Sequence, residues 1–197
     1  MLKIIKVLGI CLLLVSFSQP PSNQKIIVID AGHGGKDSGA KTDFVTEKDY
    51  TLSIAKKVKN LADGSDVKIV LTRNDDTFIS LQDRLEIIND VDADQIISLH
   101  LNKSDRSEEN GYEFYISNEN EKFKESLALA TELLQNLPND IAFSKIANAD
   151  FYLLRHVNKP ATLIDLGYIS NKRNSHFISS TKGQEKIAQS IWTALAK

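Results

Sequence analysis

The stretch Lys25 to Ala40, KIIVIDAGHGGKDSGA, decides how the rest of the chain is read. Lys25 to Asp30 is an apolar, β-branched run bounded by turn residues, the pattern of a buried strand. It runs into Gly32, Gly34 and Gly35, which permit a tight turn and a close approach of backbone to a ligand. His33 stands among them, presenting an imidazole just past the end of the strand. Taken alone, the turn would equally suit an exposed histidine; its meaning depends on the segments that follow.

Those segments alternate. Lys48 to Ala62 has helical spacing, with Leu52, Ala55, Val58, Leu61 and Ala62 on one face, and Val67 to Thr72 reads as a second strand beyond the Asp63-Gly64 turn. Ser80 to Val91 is helical again, with Ser80 and Asp83 as a capping pair. Gln95 to Leu101 is the third strand and Gly111 to Ser117 the fourth. Glu119 to Leu137 is a helix with Phe123, Leu127, Ala130, Leu134 and Leu137 as its apolar stripe. Phe151 to Arg155 and Ala161 to Gly167 read as strands five and six, and Gln184 to Ala196 is the closing helix. Strands alternating with helices predict a single α/β domain, one sheet covered on both faces.

Composition fits one globular domain: 42% of the 197 residues are hydrophobic and 25% charged, enough apolar material for a proper core. The net charge of -2 and the lack of long like-charge runs exclude a nucleic-acid-binding tail. At the N-terminus, Lys3 and Lys6 precede the apolar run Val7 to Phe17, and Ser16-Phe17-Ser18 offers small residues where a signal peptidase cuts. Residues 1–18 are therefore expected to be a cleavable export signal and 19–24 a linker, with the domain spanning 25–197. The apolar run falls short of the roughly 20 residues of a membrane span. No stable membrane anchor is expected after cleavage, and the location is periplasmic, extracellular or in the cell wall. Cys11, the one cysteine, lies inside that run, which leaves a mature chain without thiols. Nothing argues against a monomer.

Ligands of open α/β sheets bind beyond the carboxyl ends of the strands. His33 follows strand one, His100 and Asn102 end strand three, and Asp165 lies near the end of strand six. Glu47 starts the first helix a short loop after His33. Two imidazoles and a carboxylate match a catalytic zinc site that keeps one position open. Each residue also has a structural use. Glu47 suits the positive end of a helix dipole with Thr46 as cap, and His100 suits a hydrogen-bonded core. Asp165, flanked by Leu163, Ile164 and Leu166, is costly to bury unless it is paired, protonated or functional. Glu113 could move a proton in its place, although a solvent-facing position on strand four suits it too. His156 and His176 read as surface histidines.

IVIDAGHGGKDSGA, TEKDYTLSIAKKVKNL, VLTRNDDTFISLQDRLEIIN, ADQIISLHLN, NGYEFYIS, FYLLR and KPATLIDLGYISN follow one another as in the zinc-dependent N-acetylmuramoyl-L-alanine amidases. The chain resembles the amidase_3 family of cell-wall amidases over nearly its whole mature length. The resemblance implies a twisted, roughly six-stranded mixed sheet flanked by helices on both faces, a phosphorylase/hydrolase-like α/β fold. It further implies one zinc ion as cofactor, held by His33, Glu47 and His100, and peptidoglycan as substrate. Hydrolysis of the bond between N-acetylmuramic acid and L-alanine would use a zinc-activated water, with Asp165 as the catalytic carboxylate where the family has glutamate. Asp30 and Asn102 match family positions expected to orient the ligands, and Arg73 and Arg84 match family arginines that suit ion pairing. The short connection Lys103 to Asn110 has no room for the helix that covers the zinc in some members, so the site is expected to be open. A zinc-binding but weakly active or inactive homologue that binds peptidoglycan or an amidase partner stays as the alternative. A zinc peptidase or other amidohydrolase, distinguished by the bond it cuts, is a third reading.

Overall fold

The computed structural model describes residues 24–197. The expected signal at 1–18, and all of the expected linker except Gln24, lie outside them. Six strands, β1 (Lys25–Ala31), β2 (Val67–Leu71), β3 (Gln95–Asn102), β4 (Tyr112–Ile116), β5 (Phe143–Asn148) and β6 (Ala161–Tyr168), form one sheet in the order β2-β1-β3-β6-β4-β5. β2, β1, β3 and β6 run parallel; β4 is antiparallel to β6 and parallel to β5, which makes the sheet mixed. The central strands β1 and β3 are buried on both faces, which is why they read as continuous apolar runs rather than alternating ones.

The two faces carry unequal layers. Ile27, Ile29, Ile97, Leu99 and Ile164 point toward α1 (Glu47–Leu61), α3 (Phe123–Asn136), α5 (Lys172–Ser179) and α6 (Thr181–Leu195) in the larger core. Val28, Ile96, Ala161 and Leu163 meet α2 (Leu81–Asp90) and α4 (Tyr152–His156) in the smaller one. The smaller layer leaves the carboxyl ends of β1, β3 and β6 open on that side. There Asp30, Ser98, His100 and Asp165 line a cleft.

The expected sheet and its two helical layers are present, but three elements differ. Phe151 to Arg155 is the helix α4, not a strand. Leu153 and Leu154 are both buried, and a short apolar run looks the same to sequence periodicity in either state. The fifth strand is instead β5, an edge strand whose mostly exposed residues carry no apolar pattern. Lys172–Ser179 forms α5, capped by Asn171, whose side chain accepts from the backbone N–H groups of Arg173 and Asn174. Two helical faces are also rotated. Leu61 and Leu127 are exposed, and α1 buries Thr51, Ile54, Ala55 and Val58, with the Thr51 hydroxyl donating to the Gly32 carbonyl. Ser80 caps α2 as expected, accepting from the Asp83 N–H. Among the described residues no helix is long and apolar enough to cross a membrane.

Candidate functional site

His33, Glu47 and His100 come from three elements and meet at one point, their ligand atoms all within 4.8 Å of one another. Glu47 Oε1 lies 3.0 Å from His33 Nε2 and 2.9 Å from His100 Nδ1. Donors that sit about 2.1 Å from a tetrahedral zinc ion are roughly 3.4 Å apart, so this spacing and this donor set fit such an ion. Glu47 is 3% exposed, and the backbone holds its carboxylate. Its Oε1 also accepts the Leu101 N–H at 2.9 Å, and Oε2 accepts the Ala40 N–H at 2.7 Å. The helix-dipole use does not exhaust Glu47, and Thr46 makes no side-chain cap bond. Burial works to raise the Glu47 carboxyl; hydrogen bonds from His100 and His33 override it and hold the group far below the usual carboxylate range. His33 is driven the other way: burial alone would lower it, but Glu47 and Asp37 raise it above its ordinary value.

The glycine loop makes room for these side chains. A Cβ on Gly32 would fall 2.5 Å from His100 Cε1, and one on Gly39 would fall 2.5 Å from both Glu47 Oε2 and His33 Cδ2. Gly39 also has φ +62°, which favours glycine. Gly39→Ala is therefore expected to weaken metal binding by about 10–100-fold, the usual cost of disturbing the support of a ligand. Competition against a chromophoric chelator reads it directly.

His33 itself has φ 62°, a left-handed conformation that is uncommon and strained in a non-glycine residue. Two buried arginines hold the loop in it. Arg73 donates to the carbonyls of Ala31 (2.9 Å), Gly32 (2.8 Å) and Lys48 (2.7 Å). Arg84 donates to the carbonyls of Ala31 and His33 and pairs with Asp30. The ion-pairing use expected for both arginines holds for Arg84, whereas Arg73 is mainly a clamp on backbone carbonyls. Burial pushes the Asp30 carboxyl up, and Arg84 with the hydroxyls of Ser98 and Thr72 overrides this, holding it below the usual range. Arg84→Ala would leave Asp30 as a buried, uncompensated charge. The expected cost is about 3–5 kcal/mol, read as a fall in the urea midpoint.

Neither Asp30 nor Asn102 makes a hydrogen bond to the three clustered side chains. Asp30 reaches His33 only through Arg84, and Asn102 donates to Glu113 Oε2 at 3.2 Å. The orienting partner is Asp37, which sequence reading passed over. Its Oδ2 lies 2.9 Å from His33 Nδ1; with the proton on Nδ1, Nε2 is the nitrogen that would face a metal ion beside Glu47. An aspartate four residues after the histidine in the same glycine loop was the available signal.

Asp165 stands in register beside His100 on β6, and both line a cleft of about 470 Å³ with His33. Burial pushes the Asp165 carboxyl up to about 7. A group there can both take and give a proton near neutral pH. The β3–β6 register shifts between His100 and Asn102, at the end of the pairing that carries Asp165. Glu113 is opposite Asp165 on β4 and is 3% exposed, not solvent-facing. Its carboxylate accepts from the hydroxyls of Tyr115 (2.6 Å) and Tyr168 (2.8 Å) and pairs with Lys145 at 3.4 Å. Strand alternation hid this, because β4 turns Glu113 toward neighbouring tyrosines rather than to water. His156 stacks on Tyr152 at 4.2 Å and His176 lies on α5; neither lines the cleft. No helix intervenes between β3 and β4, so that connection puts no helical cover on the cleft.

A family model described as N-acetylmuramoyl-L-alanine amidase, Amidase_3, matches residues 27–197. The germination-specific N-acetylmuramoyl-L-alanine amidase of Bacillus subtilis (strain 168) is 31% identical over 192 residues, covering 90% of this chain and 81% of its own length. The probable cell wall amidase LytH of Staphylococcus saprophyticus is 34% identical over 175 residues; the match covers 87% of this chain but only 57% of that protein. Among solved structures, the catalytic domain of the amidase CwlV from Bacillus (Paenibacillus) polymyxa var. colistinus superimposes with a TM-score of 0.80 at 32% identity. That match covers 87% of this chain and 96% of the CwlV domain.

Proposed function

The chain belongs to the Amidase_3 family of N-acetylmuramoyl-L-alanine amidases, and from that premise we infer that it hydrolyses the amide between N-acetylmuramic acid and the L-alanine of the peptidoglycan stem peptide. The observation that carries this reading is the juxtaposition of the His33, Glu47 and His100 cluster with the buried Asp165 on the adjacent strand, in one cleft. His33 Nε2, Glu47 Oε1 and His100 Nδ1 would hold a single zinc ion. When bound, zinc supplies Lewis acidity toward water and toward the scissile carbonyl.

The protein's own groups supply the rest. Asp37 fixes the tautomer and tilt of His33, and the N–H groups of Leu101 and Ala40 fix Glu47. Hydrolysis adds a water oxygen to the lactyl carbonyl carbon and breaks its bond to the alanine nitrogen. An Asp165 carboxylate oxygen takes the water proton and returns it to that nitrogen as it leaves, acting first as general base and then as general acid. Aspartate is one methylene shorter than the family glutamate, so the cleft must bring substrate closer to β6. Export is part of the proposal, supported by the apolar segment Val7 to Phe17 behind two lysines and by the cell-wall role in the name of the LytH relative. Incubation with a soluble N-acetylmuramoyl peptide, followed by assay of released amine, tests the function. Turnover should vanish on chelation and return with zinc; turnover that survives complete chelation would contradict the zinc-dependent reading.

A further inference from the structure

The cleft has two unlike walls. His33, His100 and Asp165 form the polar one. The segment entering α2 and the start of α4 contribute Phe78, Leu81, Phe151 and Tyr152, an apolar arm of the same cleft. Phe78 and Phe151 are each 42% exposed although they line a concave surface. Each ring is steadied by a neighbour: Lys36 Nζ lies 4.5 Å from the Phe78 centroid, and Phe151 meets Tyr115 edge to face at 5.3 Å. Held rings with open area are how a site prepares for a flat, weakly polar ligand.

Resting on the amidase reading, we propose that this arm is the glycan subsite, with sugar rings of the strand stacking on Phe78 and Phe151. Arg84 is the one Lys or Arg side chain lining the cleft and is paired with Asp30, while Lys36 reaches the Phe78 ring from outside that lining. Sugar rings are uncharged and offer C–H faces to aromatic rings, and the muramoyl carboxyl is already consumed in the amide. The scissile carbonyl belongs to the lactyl group of the muramic acid, so the sugars begin one ether link from the reacting carbon. They must therefore leave the cluster along one of its walls.

The test uses the neutral tetramer of N-acetylglucosamine, which has the same ring faces and N-acetyl groups but no scissile bond. Calorimetric titration into the zinc-loaded protein should show binding that weakens about fivefold in each of Phe78→Ala and Phe151→Ala and is retained in Phe151→Trp. Hydrolysis of a soluble muramoyl peptide is measured on the same samples. A parent that hydrolyses but does not bind the tetramer, or variants that bind it equally well, would overturn the glycan assignment and leave the amidase reading intact. Tetramer binding with the predicted losses in a parent that hydrolyses nothing would keep the subsite and remove the hydrolase.

Discussion

Glu47→Gln is expected to strip the protein of its metal and reduce hydrolysis to background. The substitution keeps the shape of the side chain but removes the negative charge that both imidazoles face, at 3.0 Å and 2.9 Å. It also puts an amide where one oxygen now accepts the Leu101 N–H and the other the Ala40 N–H, so one of those donors loses its partner. Loss of a supporting partner alone costs about 10–100-fold in metal affinity, and loss of a ligand exceeds that. The readout is the zinc content of the purified variant by atomic emission, beside its rate on a soluble muramoyl peptide. A variant that retains a full equivalent of zinc would show that the metal sits elsewhere.

Asp165→Ala is expected to separate chemistry from metal binding. The three clustered side chains are untouched, so zinc content should stay at the parental level. The turnover number should fall by about 10²–10⁴-fold, the usual worth of general acid-base help. Asp165→Glu should hold or raise the rate, because it restores the reach of the family carboxylate; misplacing a catalytic group by roughly 1 Å costs on the order of a hundredfold. If Asp165→Ala turns over as fast as the parent, another group moves the proton. Glu113, opposite it on β4, is then the first to replace. Glu113 is saturated with donors from Tyr115, Tyr168 and Lys145, which suits it to holding the β4–β6 pair in place rather than to trading protons.

The sheet, its two helical layers and the meeting of His33, Glu47 and His100 were legible in the sequence. Buried parallel strands announce themselves as β-branched runs, and polar residues at their carboxyl ends point to the cleft. What escaped detection shares one cause: local pattern does not report what lies across the sheet. β5 is an edge strand with almost no buried face, so it carries no apolar signal. The apolar run of α4 packs one helical turn where the sequence predicts a strand. Glu113 reads as the polar half of an alternating strand, and only the arrival of Tyr168 from β6 shows it to be buried. Asp37 and Gly39 lie inside the very loop that organised the reading. Their roles, a ring partner and a missing Cβ, depend on where His33 and Glu47 finally rest. The aromatic arm was invisible for the same reason, since Phe78 and Phe151 are far apart in the chain.

The most direct test is mass spectrometry of the products released from purified peptidoglycan by the mature, zinc-loaded protein. The account predicts stem peptides with a free N-terminal alanine, glycan strands left intact, and no release after chelation. New reducing sugar ends, or fragments cut within the stem peptide, would mean that a different bond is broken and would contradict it.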